Sequence, residues 1–200
     1  MTTQSFLKLE ESAAEYSVIS ISHEETRHFI LNIHYAKRMP SISYAYGLIQ
    51  NGALVGVITY GMPASPFLCI GICGENYKER VLELNRLCLL NNKKNEASML
   101  IGRSLRLLPK PSIIVSYADT AMKHSGFVYQ ATNFLFTGTT KERTDMASIN
   151  GKHSRHNDGD KNKRQFRSSK HRYVYFLGSK KELSEMKKSL KYPIMKYPKL

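Results

Sequence analysis

Side chains that can carry protons are concentrated in one short stretch of the chain, directly after an apolar run. Residues 113–115 predict a buried strand, and Asp119, His124 and Tyr129 follow it closely. Buried polar atoms cost free energy unless each finds a partner, so this concentration is typical of a site rather than of packing. A carboxylate and a phenol beside an imidazole favour general acid–base chemistry. A polar loop that leads into a capped helix is the structural alternative.

The elements that must position this stretch form a strand–helix–strand unit. Residues 81–90 predict a strand, residues 96–108 an amphipathic helix, and residues 112–117 a second strand parallel to the first. In such a unit the helix begins at the edge where both strands end, and its free amides and dipole favour an anion. Lys93 and Lys94 add positive charge there. The turn therefore predicts a site for a phosphate-bearing cofactor, with an empty polar turn as the alternative.

A helix and its last turn precede this unit. Ser22 and Glu25 have the form of a capping box and predict a helix from residue 23 to about 37. His34 and Tyr35 then lie in the last turn, where they join the polar stretch if the helix ends over the same cleft. A single histidine on a helix is more often structural, which is the alternative for His34.

A β-hairpin is the most strongly marked local feature. Asn51 and Gly52 supply the two positive φ angles of a type I′ turn between predicted strands at residues 44–49 and 53–60. Residues 67–73 predict a further, weaker strand. With the unit described above, these elements predict a mixed sheet of the α/β class.

Positive charge is concentrated in the last quarter of the chain. Residues 151–200 hold 15 Lys or Arg against 4 Asp or Glu, whereas residues 1–150 hold 15 against 12. Residues 141–171 show almost no apolar periodicity and predict a basic, disordered insertion between strands at 134–139 and 172–177. Such a segment indicates a polyanionic partner, most simply nucleic acid. A solvated tail that aids solubility is the alternative.

The remaining composition predicts one cytoplasmic catalytic domain. The domain covers residues 1–178, and residues 179–200 form a basic C-terminal helix and tail. No apolar run is long enough to span a bilayer, and the N-terminus lacks signal-peptide features. The three cysteines have neither disulfide-framework nor zinc-site spacing, which fits small core residues in a reducing compartment.

The order of elements resembles the GNAT acyltransferase fold. The arginine- or glutamine-plus-glycine signature of that fold's pyrophosphate loop is replaced here by residues 91–95. The sequence contains no GxSxG elbow, P-loop, GxGxxG or metal-protease helix, which disfavours hydrolases and kinases. We therefore expect a GNAT-like mixed α/β sheet.

A more specific resemblance is carried by several segments in one colinear order, across roughly residues 30 to 140. The segments are His34-Tyr35 with Arg38, Gly47-Leu48, residues 52–57, Glu83-Leu84-Asn85-Arg86-Leu87, residues 103–108, Ser116-Tyr117-Ala118-Asp119 and Tyr129-Gln130-Ala131-Thr132-Asn133. Through these segments the chain is similar to the Mom family of phage DNA-modification proteins.

The resemblance implies an enzyme of the bacterial host cytoplasm that converts adenine in double-stranded DNA to N6-methylcarbamoyladenine and so protects the DNA from restriction. It implies acetyl-CoA or a related acyl-CoA as donor, although a methylcarbamoyl group carries a nitrogen that acetyl lacks. It also raises iron as a candidate metal, without metal ligands that the sequence itself identifies. No membrane partner is implied.

The resemblance also implies site residues. Asp119 would bind or deprotonate the adenine amine, and Tyr129 would act as an acid or bind the cofactor. The catalytic candidates are His34, Tyr35, Asp119 and Tyr129. The resemblance adds Arg86, Ser116 and Asn133 as supports, and with the turn before the predicted helix they give the cofactor-binding candidates Arg86, Asn91, Asn92, Lys93, Lys94, Asn95, Ser116 and Asn133. The basic segment, which the resemblance does not cover, gives by its charge the residues expected to bind DNA phosphates: Lys152, Arg155, Lys161, Lys163, Arg164, Arg167, Lys170 and Arg172.

Two other functions fit the same residues. A GNAT N-acetyltransferase acting on tRNA or on a protein would use the same cofactor turn, and the basic segment would suit tRNA equally well. A DNA-binding protein that kept the fold without catalysis would use only the basic segment. A target base inside a duplex must be extruded before its N6 can react, so the enzyme also needs an aromatic group on which that base stacks.

Overall fold

A seven-stranded mixed sheet forms the centre of the protein. The computed structural model describes residues 15–146 and 164–199. The strand order in the sheet is β1-β2-β3-β4-β5-β9-β6, and β7 and β8 form a separate two-stranded ribbon. The strands are β1 (Tyr16–Ser20), β2 (Tyr44–Gln50), β3 (Ala53–Gly61), β4 (Val81–Leu89), β5 (Ser112–Asp119), β6 (Leu135–Thr139), β7 (Arg143–Met146), β8 (Arg164–Arg167) and β9 (Lys170–Leu177).

Helices cover both faces of this sheet. They are α1 (His23–His28), α2 (Pro66–Cys73), α3 (Glu96–Leu107), α4 (Phe127–Ala131) and α5 (Lys180–Lys188), and a π-helical turn (Phe29–Ile33) continues α1. One apolar cluster joins α3 to the sheet through residues such as Leu100 and Ile114. A second cluster joins α2 and α5 to the opposite face through Ile72, Val115 and Met186. None of the helices in the described ranges has the length and apolarity of a membrane span.

The parallel pair β4 and β5 separates part-way along its length. The two strands are in register from Val81 with Ile113 to Leu84 with Ser116, and no further. β4 then continues to Leu89 against β3, and β5 continues to Asp119 against β9. A gap therefore opens in the centre of the sheet, between strands that each keep a partner on the other side.

Several sequence predictions are confirmed. Asn51 and Gly52 have φ values of 49° and 81° in the turn between β2 and β3, as a type I′ turn requires. The β4–α3–β5 unit is parallel, as expected. Its helix has the predicted apolar stripe, because Leu100, Ile101 and Leu105 are buried.

Two local predictions are wrong. The first helix ends at Ile33 rather than near residue 37, because His34 is extended, with φ −67° and ψ 135°. Residues 67–73 belong to α2 rather than to a strand. Pro66 occupies the first turn of this helix, and the segment Phe67–Cys73 is so uniformly apolar that its sequence shows no helical period.

The basic insertion is also partly ordered, against expectation. Residues 143–146 pair with residues 164–167 in antiparallel register, so both ends of the insertion form strands rather than disordered chain. Residues 147–163 lie outside the described residues. The predicted C-terminal helix is confirmed as α5, which Ser179 and Glu182 cap reciprocally.

The tail after α5 packs along the sheet edge. The Met195 amide donates to the Phe136 carbonyl of β6, and the Lys191 amide donates to the carbonyl of Ile72. The Tyr197 hydroxyl donates to the Phe134 carbonyl at 2.8 Å. The tail therefore occupies hydrogen-bonding groups at the outer side of β6.

Candidate active site

A cleft of about 900 Å³ opens where β4 and β5 separate. Its walls come from three parts of the chain that are distant in sequence: the turn after the π-helical segment, the exposed half of β4 with the start of α3, and the segment after β5. The residues on which the argument below depends are His34, Tyr35, Arg86, Tyr117, His124 and Tyr129.

His34 is a neutral hydrogen-bond donor in this cleft. Its ring is 9% exposed, and its Nδ1 accepts a hydrogen bond from the Ala36 amide at 3.0 Å. Burial and the nearby Arg86 guanidinium lower the pKa of His34 to about 4. Since Nδ1 is an acceptor in a neutral ring, the proton resides on Nε2, which can donate to an oxygen of a substrate.

Tyr35 forms an aromatic wall at the mouth of the cleft. Its ring stacks on that of His34, with centroids 4.4 Å apart and an interplanar angle of 27°. The ring edge meets His124 at 5.9 Å, which joins the two sides of the cleft. Tyr35 is nevertheless 47% exposed, so one face of the pair is open to a planar ligand.

Tyr129 lies on the opposite wall as a neutral phenol. Its ring packs against Phe134 and Tyr173, with centroids 5.4 and 5.2 Å away. Burial raises the pKa of Tyr129 to about 12, and the Tyr35 and Glu83 side chains add to the shift. A phenol that keeps its proton at neutral pH is suited to donate to a leaving group rather than to accept from a nucleophile.

Asp119 is tied to the ribbon rather than free in the cleft. Its carboxylate forms an ion pair with Lys170 at 2.9 Å and accepts hydrogen bonds from the Ser168 hydroxyl and the Ala121 amide. Burial disfavours the charged form, but the hydrogen bonds from Ser168 and Lys170 outweigh it and lower the pKa of Asp119. A carboxylate with this set of partners is a weak base.

Glu83 is a second carboxylate, which the sequence analysis did not single out. It pairs in register with Val115, so it faces the α2 side of the sheet, where β4 and β5 begin to separate. Burial raises its pKa, although Arg86 and Lys170 oppose the shift. Among the hydrogen bonds of the described residues, none involves its carboxylate. The signal in the sequence was an acid in the middle of an otherwise apolar strand.

Arg86 connects the cleft to the turn after the π-helical segment. Its guanidinium donates to the Arg38 carbonyl at 2.9 Å and to the Asn85 carbonyl at 2.6 Å. The guanidinium is thus held in place by backbone oxygens, and its positive charge lies beside His34 and Glu83. Such a fixed cation can stabilise negative charge that develops in the cleft.

The turn before α3 lies at one end of the cleft, as predicted. Asn92 and Asn95 have left-handed φ values of 46° and 69°, a conformation that the usual glycines of such a loop adopt more easily. Glu96, which is 2% exposed, accepts hydrogen bonds from the Lys93 amide at 2.8 Å and from the Tyr16 hydroxyl at 2.9 Å. The buried Glu96 therefore fixes the shape of the turn. It also accepts the hydrogen bond of the Lys93 amide, which is then not available to a phosphate.

The remaining cofactor candidates are dispersed. Lys94 lines the cleft together with Asn92, Lys93 and Asn95, whereas Asn91 is exposed at the start of the turn. Ser116 is fully buried and donates to the Leu84 carbonyl at 3.0 Å. Asn133 lies in a separate groove of about 550 Å³ between α3 and α4.

The basic residues predicted to contact DNA fall into three groups. Arg164 and Arg167 are on the ribbon. Lys170 and Arg172 already have partners, since Lys170 pairs with Asp119, and Arg172 donates to Thr137 and stacks 3.3 Å from the Tyr192 ring centroid. The other four, which lie outside the described residues, are Lys152, Arg155, Lys161 and Lys163.

The described residues do not fit an iron centre. No group of three or more His, Cys, Asp or Glu side chains in the described ranges is arranged to hold a metal ion. His34 uses its Nδ1 lone pair on the Ala36 amide, and the Asp119 carboxylate is occupied by Lys170 and Ser168. Neither residue therefore offers the free donor that a metal needs.

The fold is that of the GNAT acyltransferases. Arabidopsis thaliana NAA60 in complex with acetyl-CoA superposes with a TM-score of 0.53 at 12% identity, over 82% of this chain and 99% of that one. The same protein in complex with a bisubstrate analogue gives 0.53 over 81% and 98%. The expected GNAT-like mixed sheet is thus confirmed.

Within that fold the chain belongs to the Mom protein family, whose profile matches residues 15–199. The Methylcarbamoylase mom of Escherichia phage Mu is 31% identical over 131 residues, which cover 62% of this chain and 54% of the phage protein. The matched region therefore spans about half the length of this curated relative. The predicted family resemblance is confirmed.

Proposed function

We propose that this protein is a DNA adenine modification enzyme that adds a methylcarbamoyl group to the N6 amine. The observation that carries the proposal is the cleft between β4 and β5, which joins the start of α3 to a group of proton-carrying side chains in a member of the Mom family. The name of the phage Mu relative supports the choice of group, and the family resemblance supports adenine in DNA as the acceptor.

Glu83 is the better candidate for the base that receives the proton of the adenine amine. Its pKa is raised, whereas that of Asp119 is lowered by its partners. A carboxylate whose pKa is raised by burial is a stronger base than one whose pKa is lowered by an ion pair. Asp119 has instead the role of fixing the ribbon to the end of β5, through Lys170 and Ser168.

Four other side chains have matching roles. The His34 Nε2–H and the Arg86 guanidinium stabilise negative charge on the carbonyl oxygen during transfer. The neutral Tyr129 phenol protonates the leaving group. Tyr35, backed by His34 and partly exposed, provides the face on which an extruded base stacks.

An acyl-CoA is the proposed donor, bound with its phosphates at the turn of residues 91–95. The acetyl-CoA complex of NAA60 supports this assignment. Lys93 and Lys94 supply positive charge and line the cleft, and α3 contributes the positive end of its dipole. Acetyl lacks the nitrogen of a methylcarbamoyl group, so a nitrogen-containing second substrate or donor is also required.

Mass analysis of nucleosides tests the proposal. DNA from cells that express the wild-type protein is digested and compared with DNA from cells that express Glu83→Gln, Tyr129→Phe or, as a carboxylate control, Glu79→Gln, whose exposed side chain precedes β4. We expect deoxyadenosine heavier by one methylcarbamoyl group with the wild type and the control, and a strong loss with Glu83→Gln and Tyr129→Phe.

Three results would contradict the assignment. Deoxyadenosine of unchanged mass in cells with abundant folded protein would exclude DNA modification. Acetylated tRNA or protein in the same cells would favour an N-acetyltransferase instead. If Glu83→Gln and Lys170→Met still modify DNA fully while Asp119→Asn does not, then Asp119 rather than Glu83 is the base.

A further inference from the structure

The β7–β8 ribbon has two chemically different faces. Residues along a strand alternate between faces, so Arg164 and Phe166 share one face, and Arg143 and Arg167, which are opposite each other in register, share the other. On the second face both arginines pair with Asp145, at 3.2 and 3.5 Å. The Arg164–Phe166 face carries no such internal ion pair in the described part of the ribbon.

The base of the ribbon is fixed beside the active-site cleft. The Thr120 amide and hydroxyl, at the end of β5, both donate to the Ser169 carbonyl in the connection from β8 to β9. The Ser168 hydroxyl donates to Asp119. Arg167 is near enough to lower the pKa of Arg38, although burial is the larger cause. The ribbon therefore cannot move independently of the strand end that borders the cleft.

Phe166 is the aromatic side chain of a ribbon whose other residues, apart from Met146, are polar. It is 62% exposed, and it belongs to neither of the large core clusters of the described residues. Isolated exposed apolar residues are common on protein surfaces. Phe166 is flanked in the sequence by Arg164 and Arg167. The proposed substrate, duplex DNA, is a polyanion that contains a stack of planar bases.

We propose that the β7–β8 ribbon enters a groove of duplex DNA and that Phe166 inserts into the base stack next to the extruded adenine. This inference rests on the proposed function. The major groove of B-form DNA is wide enough for a two-stranded ribbon. Arg164 contacts phosphate or base edges from the same face, whereas Arg143 and Arg167 pair with Asp145 on the other face and so stabilise the ribbon itself.

In this proposal Phe166 replaces the stacking interactions that the DNA loses when a base is extruded. Extrusion of a base from a duplex costs a few kcal/mol in unstacking and unpairing. An aromatic or apolar wedge that enters the vacated space recovers part of this cost, because stacking of a base on an aromatic ring contributes about 1–3 kcal/mol. Phe166 thus favours the extruded state, whereas the arginines favour binding of either state.

The test separates binding from extrusion. The purified full-length protein is mixed with a labelled duplex that contains many A·T pairs, and fluorescence anisotropy reports its affinity. Permanganate, which oxidises unstacked thymines, reports which thymines have lost their adenine partner. No knowledge of the target sequence is needed, since every thymine of the duplex is read in one experiment.

For Phe166→Ala we expect nearly unchanged affinity and about a tenfold loss of the protein-induced thymine reactivity, as the loss of one stacked ring implies. The protein-induced reactivity should return when mismatched pairs are placed beside the A·T pairs of the duplex, because extrusion from the weakened stack then costs less and the thymines opposite the adenines remain as reporters. For Arg164→Gln we expect weaker binding and a salt slope reduced by about one. Phe67→Ala, on the 82% exposed Phe67 of α2, is the matched control and should behave as wild type.

Equal thymine reactivity for wild type and Phe166→Ala on the paired duplex overturns the inference, whether or not the DNA becomes modified. Loss of reactivity in Phe166→Ala that mismatches do not restore also overturns it, because the defect is then not one of extrusion. If wild type makes thymines reactive through Phe166 but never changes the mass of deoxyadenosine, the inference stands and the proposed function fails. Circular dichroism of each variant confirms that its fold is intact.

Discussion

Replacement of Asp119 by asparagine tests whether this carboxylate fixes the ribbon or serves as a base. The wild-type side chain accepts from the Lys170 ammonium at 2.9 Å, from the Ser168 hydroxyl and from the Ala121 amide at 3.0 Å. Asparagine keeps the shape and one acceptor oxygen, so the Ala121 bond remains. What changes is the charge that strengthens the bonds to Lys170 and Ser168.

The expected loss of stability is about 1.5–2 kcal/mol. Ser168 and Ala121 share Oδ1, so the Ser168 bond persists but weakens by about 1 kcal/mol, because a hydrogen bond to a charged group contributes about 1.5–3 kcal/mol and a neutral one about 0.5–1.5. The amide nitrogen then replaces Oδ2, so the ion pair with Lys170 is lost, at a cost of about 1.5 kcal/mol before solvent is considered. Water replaces part of the lost contact for Lys170, whose side chain is 37% exposed, which reduces the sum. For a chain of this length, that loss lowers Tm by about 3–8 °C.

The loss should depend on pH in a defined direction. The pKa of Asp119 is lower in the folded protein than its ordinary value of 3.8. The carboxylate therefore stabilises the fold above that ordinary value, and this stabilisation disappears as pH falls through the lower pKa of the folded state. The difference between Asp119→Asn and wild type should be complete at neutral pH and vanish in strong acid.

Urea unfolding at neutral and acid pH measures the loss of stability and its dependence on pH. The double-mutant cycle of Asp119→Asn and Lys170→Met measures the coupling free energy between the two side chains. Glu24→Gln is the control, because Glu24 is 85% exposed and forms a surface ion pair with Arg27. A coupling free energy near zero between positions 119 and 170, or a stability difference that persists in strong acid, would refute this account of Asp119.

Two further perturbations test other parts of the structure. Glu96→Ala removes the carboxylate that accepts from the Lys93 amide in the turn of residues 91–95. We expect acyl-CoA affinity about tenfold weaker in titration calorimetry, with Glu96→Gln intermediate. Unchanged affinity for both variants would show that the turn keeps its shape without Glu96. Gly126→Ala places a Cβ against the Tyr173 ring at a backbone φ of 79°. We expect the free energy of unfolding, measured with urea, to fall by about 2–4 kcal/mol, and a fall below 1 kcal/mol would contradict this packing.

The parts of the fold that the sequence predicted are those with strong local signals. The hairpin at Asn51-Gly52 and the β4–α3–β5 unit each follow from turn chemistry or from a clear apolar period. β1 was missed because it lies at the sheet edge, where its residues are half-buried or exposed and show no apolar alternation to detect. The uniformly apolar α2 was misassigned because its exposed residues, such as Phe67, are as apolar as its buried ones, so the sequence lacks the period by which a helix is recognised.

The candidate site was less predictable because its geometry depends on long-range register. Asp119 and Lys170 meet only because β5 and β9 pair antiparallel at that position, a pairing between segments about fifty residues apart that no local pattern specifies. Simple alternation along a strand places a carboxylate on a solvated face, whereas β4 is covered on both sides, so Glu83 was missed as a site residue. The residues His34, Tyr35 and Tyr129 were singled out from the polar stretch, the end of the first helix and the family resemblance, and the structure brings them to one cleft.

The strand order has a consequence for biosynthesis. β9 lies between β5 and β6 in the sheet, although it is synthesised after both. Until residue 177 has left the ribosome, β5 has no partner on that side, and β6, already made, has no place in the sheet. The chain therefore cannot complete its sheet strand by strand as it emerges, and the half-formed protein presents open strand edges that chaperones recognise or that pair wrongly. Ribosome-bound chains that end before β9 should accordingly be more sensitive to protease than chains that extend past the tail.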